Sequence, residues 1–337
     1  MKFLIYFIFP LTAFLGLLAC QDAKLDEQQE HTTQKTVAKL LVPVTEENFP
    51  TVYTDLRMNI ICTRAAGTNK IVHMPVPPSD PKKQPVVRMN RDTYYSSIVF
   101  DLNDPAFVTI PKTNKYASIQ IVDEHHETQP MIYGSGRHQI TAKTRYAFVI
   151  IRSLDDEVRK NVVIEAGEPG TYTPKNWNMK EFVALEKKGN TSFLEGYDQS
   201  KAFGNKESGQ TMYMNYVGAA GGWGGAMVQD NIYQASAYLD KVGCYEMTFK
   251  DPKDGAFWSV TVYNANGYIF NDLANISSNT NPVKNDDGTY TLRFGCDNKP
   301  NNLPIREGNT TDKFNILVRH YLPSEMVSHY GDGAVFV

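Results

Sequence analysis

Catalytic signatures are what this 337-residue sequence has least of. It holds no GxSxG elbow and no HExxH zinc helix, and none of its 4 cysteines has the neighbours of a thiol nucleophile. The glycines of MYMNYVGAAGGWGGAMVQ miss GxGxxG spacing, and no Lys-Ser or Lys-Thr follows Gly225, which argues against a phosphate loop and for close packing of backbone between two domains. An excess of positive charge is missing too. Lys+Arg number 34 against 37 Asp+Glu, net −3, with no basic stripe, so nucleic acid is not an expected partner. Tryptophan is scarce, 3 against 19 Tyr; tyrosine suits half-buried sheet faces and ligand clefts alike, so that bias alone decides nothing. Hydrophobic residues at 42% supply a sizeable core, and the length suggests two domains.

What is present begins with an apolar run, FLIYFIFPLTAFLGLLA after Lys2, broken by Pro10 and short for a membrane span. Residues 1–19 read as a secretory signal. The run ends Leu17-Leu18-Ala19-Cys20, which resembles a bacterial lipobox, making Cys20 the expected lipidation site and mature N-terminus. Gln21 rather than Asp follows, which resembles an outer-membrane address. The chain is therefore expected to be exported and held at the bacterial outer membrane by acyl chains, facing the periplasm. Residues 20–39 are polar and without aromatics; about 20 residues of such coil span roughly 25 Å, a flexible tether.

Export places Cys62, Cys244 and Cys296 in an oxidising space. Their number is odd. Cys244 and Cys296, both in apparent strands, can bridge, at a gain of roughly 4 kcal/mol, and simple buried thiols fit equally well. Asn190, Asn275 and Asn309 sit in N-x-S/T frames that a bacterial lipoprotein leaves unused.

From Thr45, a fair N-cap, Phe49, Val52, Tyr53, Leu56 and Ile60 recur at helical spacing, with Pro50 tolerable in the first turn. The period then changes to two. TYYSSIVFDL, AFVTIP, KYASIQIVD and RYAFVIIRSL, each bounded by Pro, Asn, Asp or Gly, predict a β-sandwich over 40–165. Residues 166–230 form a partly helical connecting segment, helical at WNMKEFVALEKK. Strands return over 231–337: CYEMTF, FWSVTVYN, TYTLRF after an Asp287-Gly288 hairpin signal, and KFNILVRHY, in which Phe314, Ile316, Val318 and His320 alternate with Asn315, Leu317, Arg319 and Tyr321.

VRMNRDTYYS, KYASIQIVD and FVIIRSL together resemble domain of unknown function 1254, and CYEMTFKDPKDGAFWSVTVYNANGYIF, DDGTYTLRF, NNLPI and FNILVRHYLP resemble its companion, domain of unknown function 1214. The resemblance implies an all-β chain, an Ig-like sandwich followed by a jelly-roll-like domain, and no established reaction. Asn90, Asp92, Thr93, Tyr95 and Ser96 fall on the first family's Asn-x-Asp-Thr-x-Tyr-Ser-like motif, Gln120 and Asp123 on its second strand motif, and Asn302, Pro304, Arg319 and Tyr321 on the C-terminal pattern. Arg91 stands where a second Asn is usual, and Asn302 where Trp often precedes Leu-Pro, so no ring-stacking role carries over there.

Two stretches concentrate chemistry. In PVVRMNRDTYYSSIVFDL, Arg88, Asn90, Arg91 and Asp92 are either turn chemistry before a strand or the rim of a binding site; fully extended, Arg88 and Asp92 would lie about 13 Å apart and could not pair. In KYASIQIVDEHHET an extended strand would put Asp123 and His125 on one face and Gln120 and His126 on the other, but no third metal ligand stands at diagnostic spacing. No metal or cofactor is expected. The reading is an envelope binding or assembly module, taking a small molecule or glycan in a cleft between two β domains lined from Asn90, Asp92, Tyr95, Gln120, Asp123, His125, Asn302, Arg319 and Tyr321. Its rival is a hydrolase using Asp92, Asp123 and His125. A homo-oligomer would instead show a large exposed apolar patch.

Overall fold

The computed structural model describes residues 40–76, 80–84 and 86–328; the expected signal peptide, Cys20 and the tether lie outside them. Helix α1 (Phe49–Ala65) opens the chain. Strands β1 (Val72–His73), β2 (Tyr94–Asp101), β3 (Ala106–Ile110), β4 (Ala117–Asp123), β5 (Ile132–Tyr133), β6 (Gly136–Ile140) and β7 (Tyr146–Ser153) follow, then α2 (Asp156–Lys160) and β8 (Val163–Glu165). A helical stretch holds α3 (Met179–Glu195), α4 (Gln199–Ala202) and α5 (Met212–Gly222). The C-terminal part has β9 (Asn231–Ala235), β10 (Leu239–Asp240), β11 (Tyr245–Lys250), β12 (Phe257–Asn264), β13 (Asn275–Ser277), β14 (Thr289–Phe294), β15 (Asn302–Leu303), β16 (Lys313–Tyr321) and α6 (Glu325–Ser328). The fold is all-β and sandwich-like, with helices at its start and centre.

Each half pairs a large sheet with a small one. In the N-terminal half the sheet β1-β2-β7-β4-β5 faces β6-β3-β8; in the C-terminal half β10-β16-β12-β13, extended by β9 on β16, faces β11-β14-β15. Period-two alternation decides which side chains meet. Ile98 and Phe100 of β2, Ile119 and Ile121 of β4, and Val149 and Ile151 of β7 pack with Ala106, Val108 and Ile110 of the small sheet. Their neighbours Val99, Val122, Phe148 and Ile150 point the other way, into a core shared with Phe49, Val52 and Ile61 of α1, Phe182 of α3 and Tyr216 of α5. The central strands are buried on both faces because the helices form a third layer.

Helix α1 begins at Phe49 with Asn48 at the cap, three residues later than a cap at Thr45 would place it. Thr45 instead forms the preceding turn: its backbone N donates to Asn48 Oδ1 at 2.9 Å. Glycines of α5 allow the tight packing: a Cβ on Gly221 would lie 2.1 Å from Phe193 Cδ2, and one on Gly189 of α3 would lie 2.6 Å from Ala220. This close packing is between helices rather than between the two β domains.

Cys244 and Cys296 are disulfide-bonded across 52 residues, and Cys62 is a buried free thiol. Neither bonded cysteine lies within a strand; they flank the Tyr245–Phe294 end of the β11–β14 pair. Asp287-Gly288 makes a tight turn, with Gly288 at φ 81 and one bridge from Lys284 to Tyr290, but β14 takes β11 as its main partner.

Candidate site at the junction of the two sheets

Segment 84–92 enters β2 by crossing the C-terminal half. Gln84 exchanges two hydrogen bonds with the backbone of Ile269, Arg88 N donates to Gly267 O at 2.8 Å, and Tyr263 Oη donates to Met89 O at 2.7 Å. Asn90 Nδ2 donates to Tyr321 Oη. Asp92 accepts from Ser259 Oγ at 2.6 Å, Asn275 Nδ2 at 2.8 Å and Tyr321 Oη at 3.3 Å. Burial pushes its carboxyl above the usual range, although Arg319 and the three donors favour the charged form. The stretch that raised the choice between turn and rim is a clasp between the halves. The residues that carried the two family resemblances, Asn90 and Asp92 on one side and Arg319 and Tyr321 on the other, meet there.

Where the clasp ends, the two large sheets and the helical layer line a partly open cavity of about 120 Å³. β2 and β7 contribute Tyr95, Ser97, Phe148, Ile150 and Arg152; β9 and β16 contribute Asn231, Tyr233, Arg319 and Tyr321. Each sheet brings a cross-strand Arg–Tyr pair, Arg152 opposite Tyr95 and Arg319 opposite Tyr233. Arg88, Phe193, Tyr197 and the glycine segment 221–225 close it.

That glycine segment is held by side chains from several elements. Arg88 Nη1 donates to Gly221 O at 2.8 Å, Arg152 Nη2 to Gly224 O at 3.5 Å, and Gln120 Nε2 to Gly225 O at 2.7 Å. The amides of Gly224 and Ala226 go to His126 Nε2 and Tyr233 Oη, both at 3.0 Å. With those amides taken and its carbonyls facing guanidinium groups, the segment is no phosphate cradle. It is the C-terminal end of α5, where cations are favoured.

The lining residues include four arginines and no Asp or Glu. Arg88, Arg152 and Arg319 are 5%, 6% and 4% exposed. Arg319 is bonded through both Nη atoms: it donates to Arg88 O at 2.6 Å, Tyr263 Oη at 2.8 Å and Thr261 Oγ1 at 3.3 Å, with Asp92 as a nearby negative charge. Arg152 Nε reaches Tyr95 Oη at 3.2 Å, with Asp230 as its nearest acid, though Asp230 is bonded to Met131 N and Tyr133 Oη. Arg88 makes no ion pair among the described residues; burial lowers it to about 10, so it stays protonated at neutral pH. Arg88 Nε and Nη2, Arg152 Nη1 and Tyr197 Oη are buried without a hydrogen-bond partner among the described residues.

Of the residues singled out in the sequence, Asn90, Tyr95, Arg319 and Tyr321 line this cavity. Gln120 holds its glycine wall and Asp92 stands behind Tyr321. The others lie elsewhere. β4 ends at Asp123, whose Oδ1 accepts from His125 N at 2.8 Å and Glu127 N at 2.9 Å, capping its own turn. His125 is therefore not on an extended strand with Asp123; it is exposed, with Nδ1 3.3 Å from Thr51 Oγ1. Asn302 sits in the small C-terminal sheet and accepts from Cys296 N at 2.8 Å. Asp92, Asp123 and His125 share no bonding partner, so the hydrolase arrangement is not assembled. Among the described residues no group of three or more His, Cys, Asp or Glu is placed to hold a metal ion, and no helix is long and apolar enough to cross a membrane.

Sequence reasoning missed Arg152, Tyr197, Phe193 and Tyr233, and quoted Arg88 without placing it in the cleft. For Arg152 a signal existed: it ends RYAFVIIRSL on the face of Phe148 and Ile150, a charge where the alternation demands an apolar residue.

No curated protein matches the chain. The VPA0106 protein from Vibrio parahaemolyticus shares the fold at TM-score 0.56 with 16% identity, over 83% of this chain and 94% of its own. An uncharacterised protein from Burkholderia cenocepacia aligns at TM-score 0.49 with 13% identity, over 82% of this chain and 84% of its own. Two family models, each described as a protein of unknown function, match in the same order as the two halves, DUF1254 over residues 68–170 and DUF1214 over 229–325. The clasp between segment 84–92 and strands β12 and β16 thus joins one family domain to the other, and the chain belongs to the two-domain family that pairs DUF1254 with DUF1214.

Proposed function

We propose that this protein is a binding module of the bacterial cell envelope, exported as a lipoprotein, anchored to the outer membrane through Cys20 and facing the periplasm, with a small-molecule ligand in the cavity between its two β domains. The observation that supports the ligand site is the convergence of buried polar side chains from both halves on one cavity, with four side-chain donor atoms that have no hydrogen-bond partner among the described residues. Enclosed, largely apolar sites with a few fixed polar groups favour small ligands, and domain junctions are where they form. A cavity of about 120 Å³ suits a small molecule rather than a glycan chain. The apolar run ending at Cys20 supports the anchor.

Thermal-shift measurements on the mature protein test the ligand site, with a panel of acids, amines, sugars and neutral polar compounds run against wild type and Ser97→Trp, which fills the cavity. A stabilising compound whose effect disappears in Ser97→Trp supports the reading; no active compound, or an effect that survives, removes it. Mass spectrometry of the mature N-terminus tests the anchor. An acylated Cys20 supports it, and an unmodified peptide starting elsewhere rules it out.

A further inference from the structure

Guanidinium geometry in this chain supplies its own standard. On the surface, Arg137 donates from Nε and Nη2 to the two carboxylate oxygens of Glu165 at 2.8 and 3.0 Å, and Arg145 does the same to Asp101 at 3.1 and 2.7 Å. Both are side-on forks, two parallel N–H donors matched to one planar carboxylate. Buried Arg88 spends Nη1 on Asn190 Oδ1 and Gly221 O, and its Nε and Nη2, the same side-on edge, have no protein partner among the described residues. The Tyr197 hydroxyl and Arg152 Nη1, on other walls of the cavity, are likewise buried and unpartnered.

We propose that Arg88 is a carboxylate clamp and that the cavity takes a compact monocarboxylate with a flat or short apolar body, an inference that rests on the binding-module reading above. The side-on edge of Arg88 is itself buried, so a small side-chain shift brings it to both carboxylate oxygens, with the Tyr197 hydroxyl and Arg152 Nη1 as the further donors. Phe148, Ile150 and Phe203 supply apolar wall for the body. An apolar cavity of about 150 Å³ accepts benzene; at about 120 Å³ and open on one side, this one holds the carboxylate end and leaves part of a ring or short chain at its mouth. Charge points the same way. A guanidinium buried without a counter-charge is disfavoured; Arg319 has Asp92 and Arg152 has Asp230 nearby, whereas Arg88 makes no ion pair among the described residues and no acid lines the cavity, so an anion at Arg88 is gained, not displaced.

The backbone at Arg88 is also unusual. It is left-handed, φ 53, in a residue that carries a Cβ, and it is fixed through its own N by Gly267 O and through its own O by Arg319 Nη2. A sparsely populated conformation held from both sides is a mark of positions kept for function.

Calorimetric titration of the full mature chain with benzoate and hexanoate, with benzamide and hexanamide as neutral counterparts and inorganic phosphate as an anion without an apolar body, tests the proposal. The acids are expected to bind at least about tenfold more tightly than their amides and than phosphate. Arg88→Lys, which keeps the charge and loses the fork, is expected to weaken benzoate at least about tenfold; Tyr197→Phe, which removes one hydroxyl and keeps the ring, is expected to weaken it severalfold. Equal affinity for acid and amide, phosphate binding as tightly as benzoate, or affinity unchanged in both variants overturns the clamp. If amides bind and acids do not, the clamp is wrong while the binding module stands; if no compound of this panel or the wider one binds, both fall.

Discussion

The backbone amide of Gly224 donates to Nε2 of His126 at 3.0 Å, and Nδ1 of the same ring lies 2.7 Å from Asn215 Oδ1. Nε2 must be the acceptor, so the ring is neutral with its proton on Nδ1, donated to Asn215. Burial holds its pKa down at about 4 against an ordinary 6.5. Because the unfolded chain takes up the proton first, stability is unaffected above pH 6.5, falls as pH drops from 6.5 to 4, and levels off below. The full loss is about 3 kcal/mol. Burial raises Asp92, Asp123 and Asp230, which act in the opposite sense, so the informative quantity is the difference between two proteins. Urea denaturation at pH 7.5 and 4.5 is expected to show a larger acid loss in wild type than in His126→Gln, by about 2–3 kcal/mol. Equal losses would mean that the imidazole is not the group titrating.

Asp92 is predicted to be a fastener. Removing its carboxylate leaves Ser259 without its acceptor, takes one of the acceptors of Asn275 and leaves Arg319 without its counter-charge, all inside the junction. Asp92→Ala is expected to cost about 3–5 kcal/mol in chemical denaturation, and Asp92→Asn less, because an amide oxygen still accepts. A loss below about 1 kcal/mol for Asp92→Ala would show that the halves are joined by other contacts.

Much of this was legible beforehand. Strands β12, β14 and β16 coincide with FWSVTVYN, TYTLRF and KFNILVRHY because alternation leaves one register that buries Phe314, Ile316 and Val318 together. The helical layer was less legible: α5 reads MYMNYVGAAGG, and glycine and alanine make a poor periodic signal although they allow the closest approach. The site was half legible. Asn90, Tyr95, Arg319 and Tyr321 stood in motifs, but Arg88 and Arg152 reach one cavity only because the segment carrying Arg88 crosses the C-terminal half before it enters β2, a relation between residues 64 positions apart that no local pattern carries.

Two adjacent glycines at the end of α5 should behave oppositely. A Cβ on Gly221 would lie 2.1 Å from the Phe193 ring, whereas one on Gly222 would have nothing within 4 Å. Gly221→Ala is expected to destabilise by about 1–3 kcal/mol through overpacking, and because Phe193 lies 4.7 Å from the Arg88 guanidinium, to disturb ligand binding as well. Gly222→Ala should be neutral or stabilising by up to about 1 kcal/mol. Thermal melts of the pair decide it; similar losses would mean that the helix end tolerates neither.

Arg88 and Arg319 offer the sharpest contrast, since both are buried arginines of one cavity. The guanidinium of Arg319 donates to Arg88 O, Tyr263 and Thr261 beside the Asp92 charge, so Arg319→Met leaves several buried groups unpaired and is expected to cost about 3–5 kcal/mol. Arg88 has three of its five N–H donors unspent and no ion pair among the described residues. Replacing an uncompensated buried charge by an apolar chain of similar length offsets the lost bonds to Asn190 and Gly221, so Arg88→Met is expected to lie within about 1 kcal/mol of wild type without ligand. The same variant should lose the stabilisation that benzoate gives the wild type. Denaturant titrations of both variants, with and without benzoate, make the comparison. If Arg88→Met costs as much as Arg319→Met, Arg88 is a structural staple, and its unpaired edge is not what the cavity was built around.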